Sequence, residues 1–142
     1  MNYLMDLTAV DYSAFGKRTA SAFFASSEVA LRASPQIPDG DRWPGPPEHA
    51  RFAVVYHFDS IAHKHQLWLV VPVEEAGADV GSLGSLWPGA NWLEREVWDM
   101  FGIAFRGHSD LKRVLMYDGF EGLALRKDHP VKKRQPLIGP KN

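Results

Sequence analysis

Alternation of apolar and polar positions marks three segments of the chain as strands. The alternation is loose along Tyr3–Tyr12 and regular along Arg51–Asp59 and Gln66–Val73. Successive side chains of a strand point to opposite faces, so a period of two is the pattern that strands produce. Only the short polar stretch Ser60–His65 separates the last two segments, which predicts an antiparallel hairpin. Both faces of this hairpin carry apolar residues, so we expect each face to be covered.

One helix is well marked, because its apolar residues recur at helical spacing. Asn91 is a favourable N-cap residue, and Glu94 follows three positions later, which is the spacing of a capping box. Gly102 can adopt the left-handed conformation that ends many helices. We therefore expect a helix of about 15 Å over Trp92–Phe101. Its apolar stripe would be formed by Leu93, Val97, Met100 and Phe101.

The other segments have weaker patterns. Ser13–Ser34 is rich in alanine and serine, and one interpretation is a short amphipathic helix. Five prolines predict a loop over Pro35–Pro47. Glu74–Ser85 is rich in glycine, serine and acidic residues, and is predicted to be a connector. Short strands are expected at Ile103–Phe105 and near Arg113–Tyr117.

The predicted fold class is α+β, with an antiparallel or mixed sheet, one well-marked helix and an extended basic C-terminal tail. A chain of 142 residues is long enough for one domain with a buried core. No hydrophobic period is visible after Leu125. We therefore expect a compact domain over residues 1–117, with a proline-rich loop at 35–50, and an extended C-terminal arm over residues 118–142.

Composition excludes several kinds of chemistry. The chain has no cysteine, which excludes disulfides, thiol nucleophiles and cysteine-ligated zinc or iron–sulfur clusters. No run reaches the roughly 18 apolar residues of a membrane span. The N-terminus lacks the features of a secretory signal, so we expect a cytoplasmic or equivalent reducing location.

Charge is divided unevenly along the chain. Residues 1–105 contain 7 basic and 13 acidic residues, whereas residues 106–142 contain 9 basic and 4 acidic ones. This division indicates either an electrostatically complementary partner or a solvated surface. The basic stretch Leu125–Arg134 lacks the interleaved aromatic residues of a nucleic-acid stacking platform, so docking on a partner protein is favoured over nucleic-acid binding.

The densest group of ligand-type residues surrounds the helix. At 100° per residue, Glu94 and Glu96 lie about 200° apart and cannot converge on one ion. Arg95 and Asp99 have the spacing of an i,i+4 ion pair. A structural ion-pair network is therefore favoured over a metal or acid–base site, with a further cation supplied by one of Arg106, Lys112 and Arg113. The complete group is Glu94, Glu96, Asp99, His108 and Asp110.

Sequence motifs of familiar catalytic sites are absent: there is no nucleophile elbow, Walker loop or dinucleotide-binding fingerprint. Trp92 and Trp98 cannot both share the apolar stripe of the helix, so at least one is expected to project outward. Exposed tryptophan beside arginine is typical of an interface hot spot. An alternative is that loops or the sheet cover it.

The segment Glu94–Ile103, EREVWDMFGI, with the nearby His108, Lys112, Val114 and Leu115, resembles the signature of the 30-kDa-type subunit of respiratory complex I, which is its C subunit. The preceding Leu86–Trp92 and the tail Leu123–Pro130 are similar to the same family. The resemblance is weaker at Asp6–Tyr12 and along the hairpin.

The resemblance implies a non-catalytic, cofactor-free subunit in the peripheral arm of a proton-translocating NADH:quinone oxidoreductase. It would lie beside the large quinone-site subunit and near the small iron–sulfur subunit, at the cytoplasmic face of the membrane, with its basic arm over a neighbour. An equivalent scaffold of a membrane-bound hydrogenase or another quinone reductase is an alternative. A further alternative is a small metal-dependent enzyme that uses Glu94, Glu96, Asp99 and His108.

Specific roles follow for the signature residues. We expect Glu94 to cap the helix and Arg95 to bind a carboxylate. Three residues would contribute to docking a partner, namely Trp98, His108 and Arg113, and three would anchor the tail, namely Arg126, Lys127 and Asp128. No catalytic, cofactor-binding or metal-binding residue is predicted. The interface and structural set is completed by Glu96, Asp99, Phe101, Gly102 and Lys112.

Overall fold

An antiparallel sheet packed against one helix forms the centre of the molecule. The structure is a computed structural model and describes residues 3–13, 50–75 and 79–135. Its elements follow the chain in the order β1 (Tyr3–Asp11), β2 (Phe52–Ser60), β3 (His65–Val73), β4 (Asp79–Gly81), α1 (Ala90–Phe101) and β5 (Ala104–Arg106). The predicted α+β class is confirmed. The helix and the proline-rich loop expected between residues 14 and 49, and residues 136–142 of the arm, lie outside the described residues.

The strands are ordered β1-β2-β3, with β2 in the centre and both pairings antiparallel. The predicted hairpin is confirmed, with Phe52 opposite Val73 and Ser60 opposite His65. The pairing of β1 with β2 is irregular between Leu4 and Asp6. Period-two alternation therefore identified the strands correctly, and each strand of the hairpin extends one residue closer to the turn than predicted.

The core lies between one face of the sheet and the apolar stripe of α1. Phe52, Val54, Tyr56 and Phe58 alternate along β2 and are buried. They pack with the predicted helix residues Val97, Met100 and Phe101, and with Ile103 and Phe105 that follow the helix. Burial of these side chains is the main favourable contribution to folding, at about 1.5–3 kcal/mol for each large apolar side chain.

Coverage of the sheet is uneven. On β2, Ala53 and Val55 of the opposite face are also buried, as expected for a strand that is apolar on both sides. On β3, Leu67, Trp68 and Leu69 are each about half exposed. The expectation that each face of the hairpin is covered therefore holds for β2 and fails for the first half of β3.

The helix begins earlier than the sequence indicated. It starts at Ala90, its N-cap is Gly89, and no side chain caps it. The predicted capping box of Asn91 and Glu94 is therefore wrong, because both residues already lie inside the helix. The predicted C-terminus is confirmed: Gly102 has a φ of 74° and its N–H donates to the carbonyl of Trp98 over 2.9 Å.

Two short elements differ from the prediction. The connector 74–85 contains β4, which pairs in parallel with β5. The strand expected near Arg113–Tyr117 is absent, and the physical reason is that the backbone N–H groups of residues 114–116 are bound by a side chain of α1 instead of by a neighbouring strand. Among the described residues, no helix has the length and apolar character needed to cross a membrane.

Candidate functional site

Three charged residues of the signature point from α1 into the protein. Glu94, Arg95 and Asp99 are buried, although each carries a charge in its ordinary state. A buried charge is strongly destabilising unless it is paired or hydrogen-bonded. The partners of these three side chains therefore define what the signature does.

Glu94 fastens the loop that follows β4 to the helix. Its Oε2 accepts a hydrogen bond from the hydroxyl of Ser82 over 2.6 Å, and its Oε1 accepts one from the backbone N–H of Leu83 over 2.6 Å. The expected capping role is replaced by this link between helix and loop. Burial, reinforced by the nearby negative charge of Glu94, raises the pKa of Tyr56 to about 12.

Arg95 binds backbone carbonyls and not the carboxylate that was predicted. Its Nε donates to the carbonyl of Lys112 and its Nη2 to that of Arg113, each over 3.1 Å. The guanidinium also lies 4.7 Å from the ring centroid of Trp92. The predicted pair with Asp99 does not form, because the planar guanidinium is directed toward the loop after β5.

Asp99 holds the same loop from the next turn of the helix. Its Oδ2 accepts the backbone N–H groups of Val114, Leu115 and Met116 over 3.1, 3.0 and 2.8 Å. Its Oδ1 lies 3.4 Å from Nη1 of Arg113, so Arg113 is the one of the three candidate cations that pairs with this carboxylate. Lys112 instead pairs with Asp110 over 2.6 Å at the surface, and this hydrogen bond lowers the pKa of Asp110.

His108 is enclosed by the same region. Its side chain is 1% exposed; Nε2 lies 3.1 Å from the carbonyl of Asn91, and Nδ1 accepts the N–H of Asp110 over 3.0 Å. Since Nδ1 is the acceptor, Nε2 carries the proton and donates. The imidazole therefore braces the loop internally, and the predicted direct contact of this side chain with a partner is not supported by its burial.

A second buried network joins β1, β2 and the arm. Asp11 accepts two hydrogen bonds from Arg51, over 3.3 and 3.1 Å, and one from the backbone N–H of Lys127 over 2.8 Å. Burial alone would raise the pKa of Asp11, but these donors and the N–H of Ser13 outweigh it and hold that pKa well below its usual range. Arg51 also pairs with Glu75 and, over 2.9 Å, with Asp128.

Arg126 attaches the arm to the end of the helix. Its Nε donates to the carbonyl of Phe101 over 2.6 Å, and its guanidinium lies 4.9 Å from the ring centroid of Phe52. With Lys127 and Asp128 bound to the Asp11 network, the three residues predicted to anchor the tail each contact the compact domain of the same chain. Sequence reasoning missed Asp11 and Arg51, which lie 40 residues apart and have no local signature.

The ligand-type residues do not converge as a metal site would require. Glu96 is exposed, while Glu94 and Asp99 are buried and bind separate loops, so Glu94 and Glu96 do not converge, as the helical geometry predicted. In residues 3–13, 50–75 and 79–135, no group of three or more histidine, aspartate or glutamate side chains is placed to hold a metal ion. Within the group predicted as a possible enzyme site, Glu94 and His108 approach each other to 3.9 Å, which is too long for a hydrogen bond.

The outward face of the same region carries exposed apolar side chains. Trp92 is 62% exposed and Leu115 is 58% exposed, whereas Trp98 is partly buried. The prediction that at least one helix tryptophan projects outward is confirmed by Trp92. Trp98 lines a small, partly open cavity together with Asp99, Gly102, Arg113 and Leu123.

Comparison with known proteins places this geometry in a family. Residues 1–135 match the family described as respiratory-chain NADH dehydrogenase, 30 Kd subunit. The solved structure of a trypsin-resistant fragment of Nqo5 is similar, with a TM-score of 0.50 and 29% identity, covering 78% of this chain and 65% of that one.

Curated relatives agree. The NADH-quinone oxidoreductase C subunit of Roseiflexus castenholzii is 54% identical over 81 residues, which are 57% of this chain and 47% of the relative. The same-named protein of Dinoroseobacter shibae is 55% identical over 85 residues, or 59% of this chain and 39% of the relative. The NADH-quinone oxidoreductase C/D subunit of Nitrosospira multiformis is 43% identical over 83 residues, or 58% and 14%.

The chain thus spans about half the length or less of these curated relatives. The family match covers the sheet, the helix and the loops that the signature residues hold. The chain therefore belongs to the family of the 30-kDa subunit of respiratory-chain NADH dehydrogenase.

Proposed function

We propose that the chain is a non-catalytic, cofactor-free scaffold in the peripheral arm of an NADH:quinone oxidoreductase. It would hold the large quinone-site subunit and the small iron–sulfur subunit, at the cytoplasmic face of the membrane and without a span of its own. Electron transfer and quinone chemistry would take place in those neighbours. The absence of cysteine supports this role, since iron–sulfur clusters are held by thiolates.

The main observation behind this proposal is that the buried charged side chains of α1 bind loops of the same chain. Glu94, Arg95 and Asp99 are buried, and they bind loop backbone and neighbouring side chains. A general acid, base or metal ligand needs a free position toward substrate. These side chains instead stabilise loops that lack regular secondary structure.

Fixed loops are an advantage in an interface. A mobile loop loses conformational entropy when it becomes ordered in an interface, and this loss lowers the affinity. A loop that is already held by buried hydrogen bonds loses less entropy, so the affinity is reduced less. Residues 112–116 are held by Arg95 and Asp99, and residues 126–128 by Phe101, Asp11 and Arg51. The buried residues Arg95 and Asp99 of α1 therefore hold part of the protein surface in a fixed conformation before a partner binds.

The composition of the outward face suits a partner. Trp92 is exposed and its ring lies against the guanidinium of Arg95. Leu115 is also exposed, two residues after Arg113 in the sequence. Tryptophan and arginine are the residues most enriched in interface hot spots. The combined designation C/D of the Nitrosospira relative supports a partner that is a direct neighbour of this chain.

Replacement of two buried carboxylates separates a scaffold from a catalyst. We expect Glu94→Gln and Asp99→Asn to reduce the amount of assembled complex while leaving NADH:quinone turnover per assembled complex unchanged. Asp79→Asn, which removes a charge at an exposed position of β4, is the control and should change neither quantity. Normal assembly with turnover lost in either buried variant would reject the scaffold. Capture of a hydrogenase large subunit with the chain would assign the scaffold to that class of complex.

A further inference from the structure

β3 forms an open edge of the main sheet. It lies at the end of the order β1-β2-β3, and within the described residues its backbone pairs with β2 alone. That pairing continues along the whole strand without a bulge. The segment His65–Val73 also contains no Asp, Glu, Lys or Arg. An unpaired edge can bind a further strand, and charges and bulges are the usual protection against such binding.

The opposite edge of the sheet, β1, carries this protection. Its pairing with β2 is irregular between Leu4 and Asp6, and Asp6 is exposed. A bulge twists an edge away from a neighbouring strand, and an exposed carboxylate would lose its water there. Addition of a strand is therefore expected at β3 and not at β1.

Pro72 determines which backbone groups of β3 face outward. It is paired with Ala53 of β2, although proline has no N–H to donate. Proline is tolerated in an edge strand where its nitrogen points away from the sheet. Because these directions alternate along an antiparallel strand, the N–H and C=O groups of Gln66, Trp68 and Val70 also point away from β2. A row of alternating donors and acceptors is the pattern that another extended backbone satisfies.

The side chains beside this edge restrict the composition of the added strand. Leu67 and Leu69 are about half exposed on the face toward α1, and Trp68 is about half exposed on the other face. The ring of Trp68 is stacked on that of His57, with their centroids 4.0 Å apart. Apolar side chains pair favourably across strands, whereas a charge placed beside them loses water. The added strand is therefore uncharged and apolar on both faces.

The length of the edge indicates the source of the added strand. A stable interface uses roughly 20–30 residues on each side, and the segment Gln66–Val70 supplies only a small part of that number. Two copies of the chain joined at this edge alone would therefore not form a stable dimer. A strand from a subunit that also contacts the chain elsewhere, such as at the exposed Trp92 and Leu115, meets the requirement.

We propose that β3 binds an extended, uncharged strand of a redox subunit along Gln66–Val70. The inference rests on the proposed scaffold function, and it adds the kind of partner segment and its place on this chain. The added strand exchanges hydrogen bonds with the outward N–H and C=O groups, and its apolar side chains pack beside Leu67, Trp68 and Leu69. Pro72 ends the pairing, because it has no N–H to donate.

Hydrogen exchange of the backbone amides tests the added pairing without any substitution. In the isolated chain, we expect the N–H groups of Gln66, Trp68 and Val70 to exchange at least about tenfold faster than those of Leu67 and Leu69, which bind β2. In the assembled complex, the outward N–H groups should slow to the rate of the other two. Outward N–H groups that exchange equally fast in the isolated chain and in the complex would overturn the proposal.

Proline at position 70 removes one outward donor. We expect Val70→Pro to preserve the pairing of β2 with β3, because this N–H does not bind β2, and to reduce recovery of the redox subunits about tenfold. Val70→Ala keeps the N–H and is the matched control, which should recover them normally. Circular dichroism reports whether both variants fold. Normal recovery with a folded Val70→Pro chain would refute the added strand, and amide exchange in the unaltered complex decides the question if that variant does not fold.

A photo-cross-linker in place of Trp68 identifies the strand. After irradiation of the complex that carries p-benzoylphenylalanine at this position, we expect a cross-linked peptide of a redox subunit with an uncharged, apolar segment. The same probe in place of Trp92, on α1, is the control and should capture a different peptide. A cross-link to a second copy of this chain or to another segment of the same chain, or no cross-link at all, would contradict the proposed partner.

The outcomes separate this inference from the scaffold function. Recovery of the redox subunits without protection of the outward N–H groups would reject the added strand and leave the scaffold intact. If the unaltered chain recovers no redox subunit at all, the scaffold function itself fails.

Discussion

Oδ2 of Asp99 lies 2.8 Å from the backbone nitrogen of Met116, 17 residues further along the chain. The same oxygen accepts the N–H groups of Val114 and Leu115. One carboxylate on the helix thus replaces the hydrogen-bonding partner that a neighbouring strand would have supplied. The loop after β5 is held in a defined shape without belonging to a sheet.

Loss of this carboxylate should destabilise the fold. We expect Asp99→Ala to lower the free energy of unfolding by about 3–5 kcal/mol, since three N–H groups and the guanidinium of Arg113 lose their partner. Asp99→Asn should have a smaller effect because an acceptor oxygen remains. Urea denaturation measures both, and Glu96→Ala on the exposed side of α1 should change the value by less than about 0.5 kcal/mol. Equal stabilities for Asp99→Ala and Glu96→Ala would refute the role given to Asp99.

The helix depends on glycine at its C-terminal end and not at its start. In Gly102→Ala the new Cβ would lie 2.6 Å from Cδ1 of Leu123, and the backbone φ of 74° is unfavourable for alanine. We expect a loss of about 1–3 kcal/mol in the free energy of unfolding. Gly89→Ala is the matched control, because nothing lies within 4 Å of the added atom. Thermal or urea denaturation that ranked the two variants in the opposite order would contradict the described helix end.

Acid should weaken the attachment of the arm through Asp11. The pKa of Asp11 is held well below its usual range by Arg51 and by backbone donors. A carboxylate with a lowered folded-state pKa stabilises the fold above its unfolded-state value near 4, and that stabilisation is lost as the pH falls below it. We expect Asp11→Asn to cost about 2 kcal/mol at pH 7 and to flatten the dependence of stability on pH between about 5 and 2. An unchanged pH profile would contradict the network.

Tyr56 should titrate at unusually high pH. Burial and the charge of Glu94 raise its pKa to about 12. Because the folded pKa exceeds the ordinary value near 10, the stabilisation is complete below that pH and is lost as the pH rises toward 12. Absorbance of tyrosinate during an alkaline titration should lose its highest-pH component in Tyr56→Phe, and Tyr3→Phe, at an exposed position, is the control. A Tyr56 component near pH 10 would show that the ring is accessible.

The elements were predictable where a short local pattern determines them. The alternation of Phe52, Val54, Tyr56 and Phe58 reflects one buried face, and the left-handed Gly102 reflects a backbone geometry that few other residues adopt. Both signals lie within a few residues of the feature that they determine. The hairpin and the end of the helix were therefore found from the sequence.

The hydrogen-bond partners of the charged residues could not be predicted from a local sequence pattern. Arg95 was expected to bind a carboxylate, but its acceptors are backbone carbonyls, which every residue has and no sequence motif marks. Asp11 is joined to Lys127 across 116 residues. Such contacts arise from the packing of the whole chain, so the residue types indicated a buried network while its connections required the structure.

Native mass spectrometry of the complex captured through a tag on this chain tests the central claim most directly. It reports the subunits bound and whether the released chain carries additional mass. We predict an assembly that contains the quinone-site and iron–sulfur subunits and releases this chain at its sequence mass. A chain that carries a metal or redox group, or one that is captured without any redox subunit, would contradict the account.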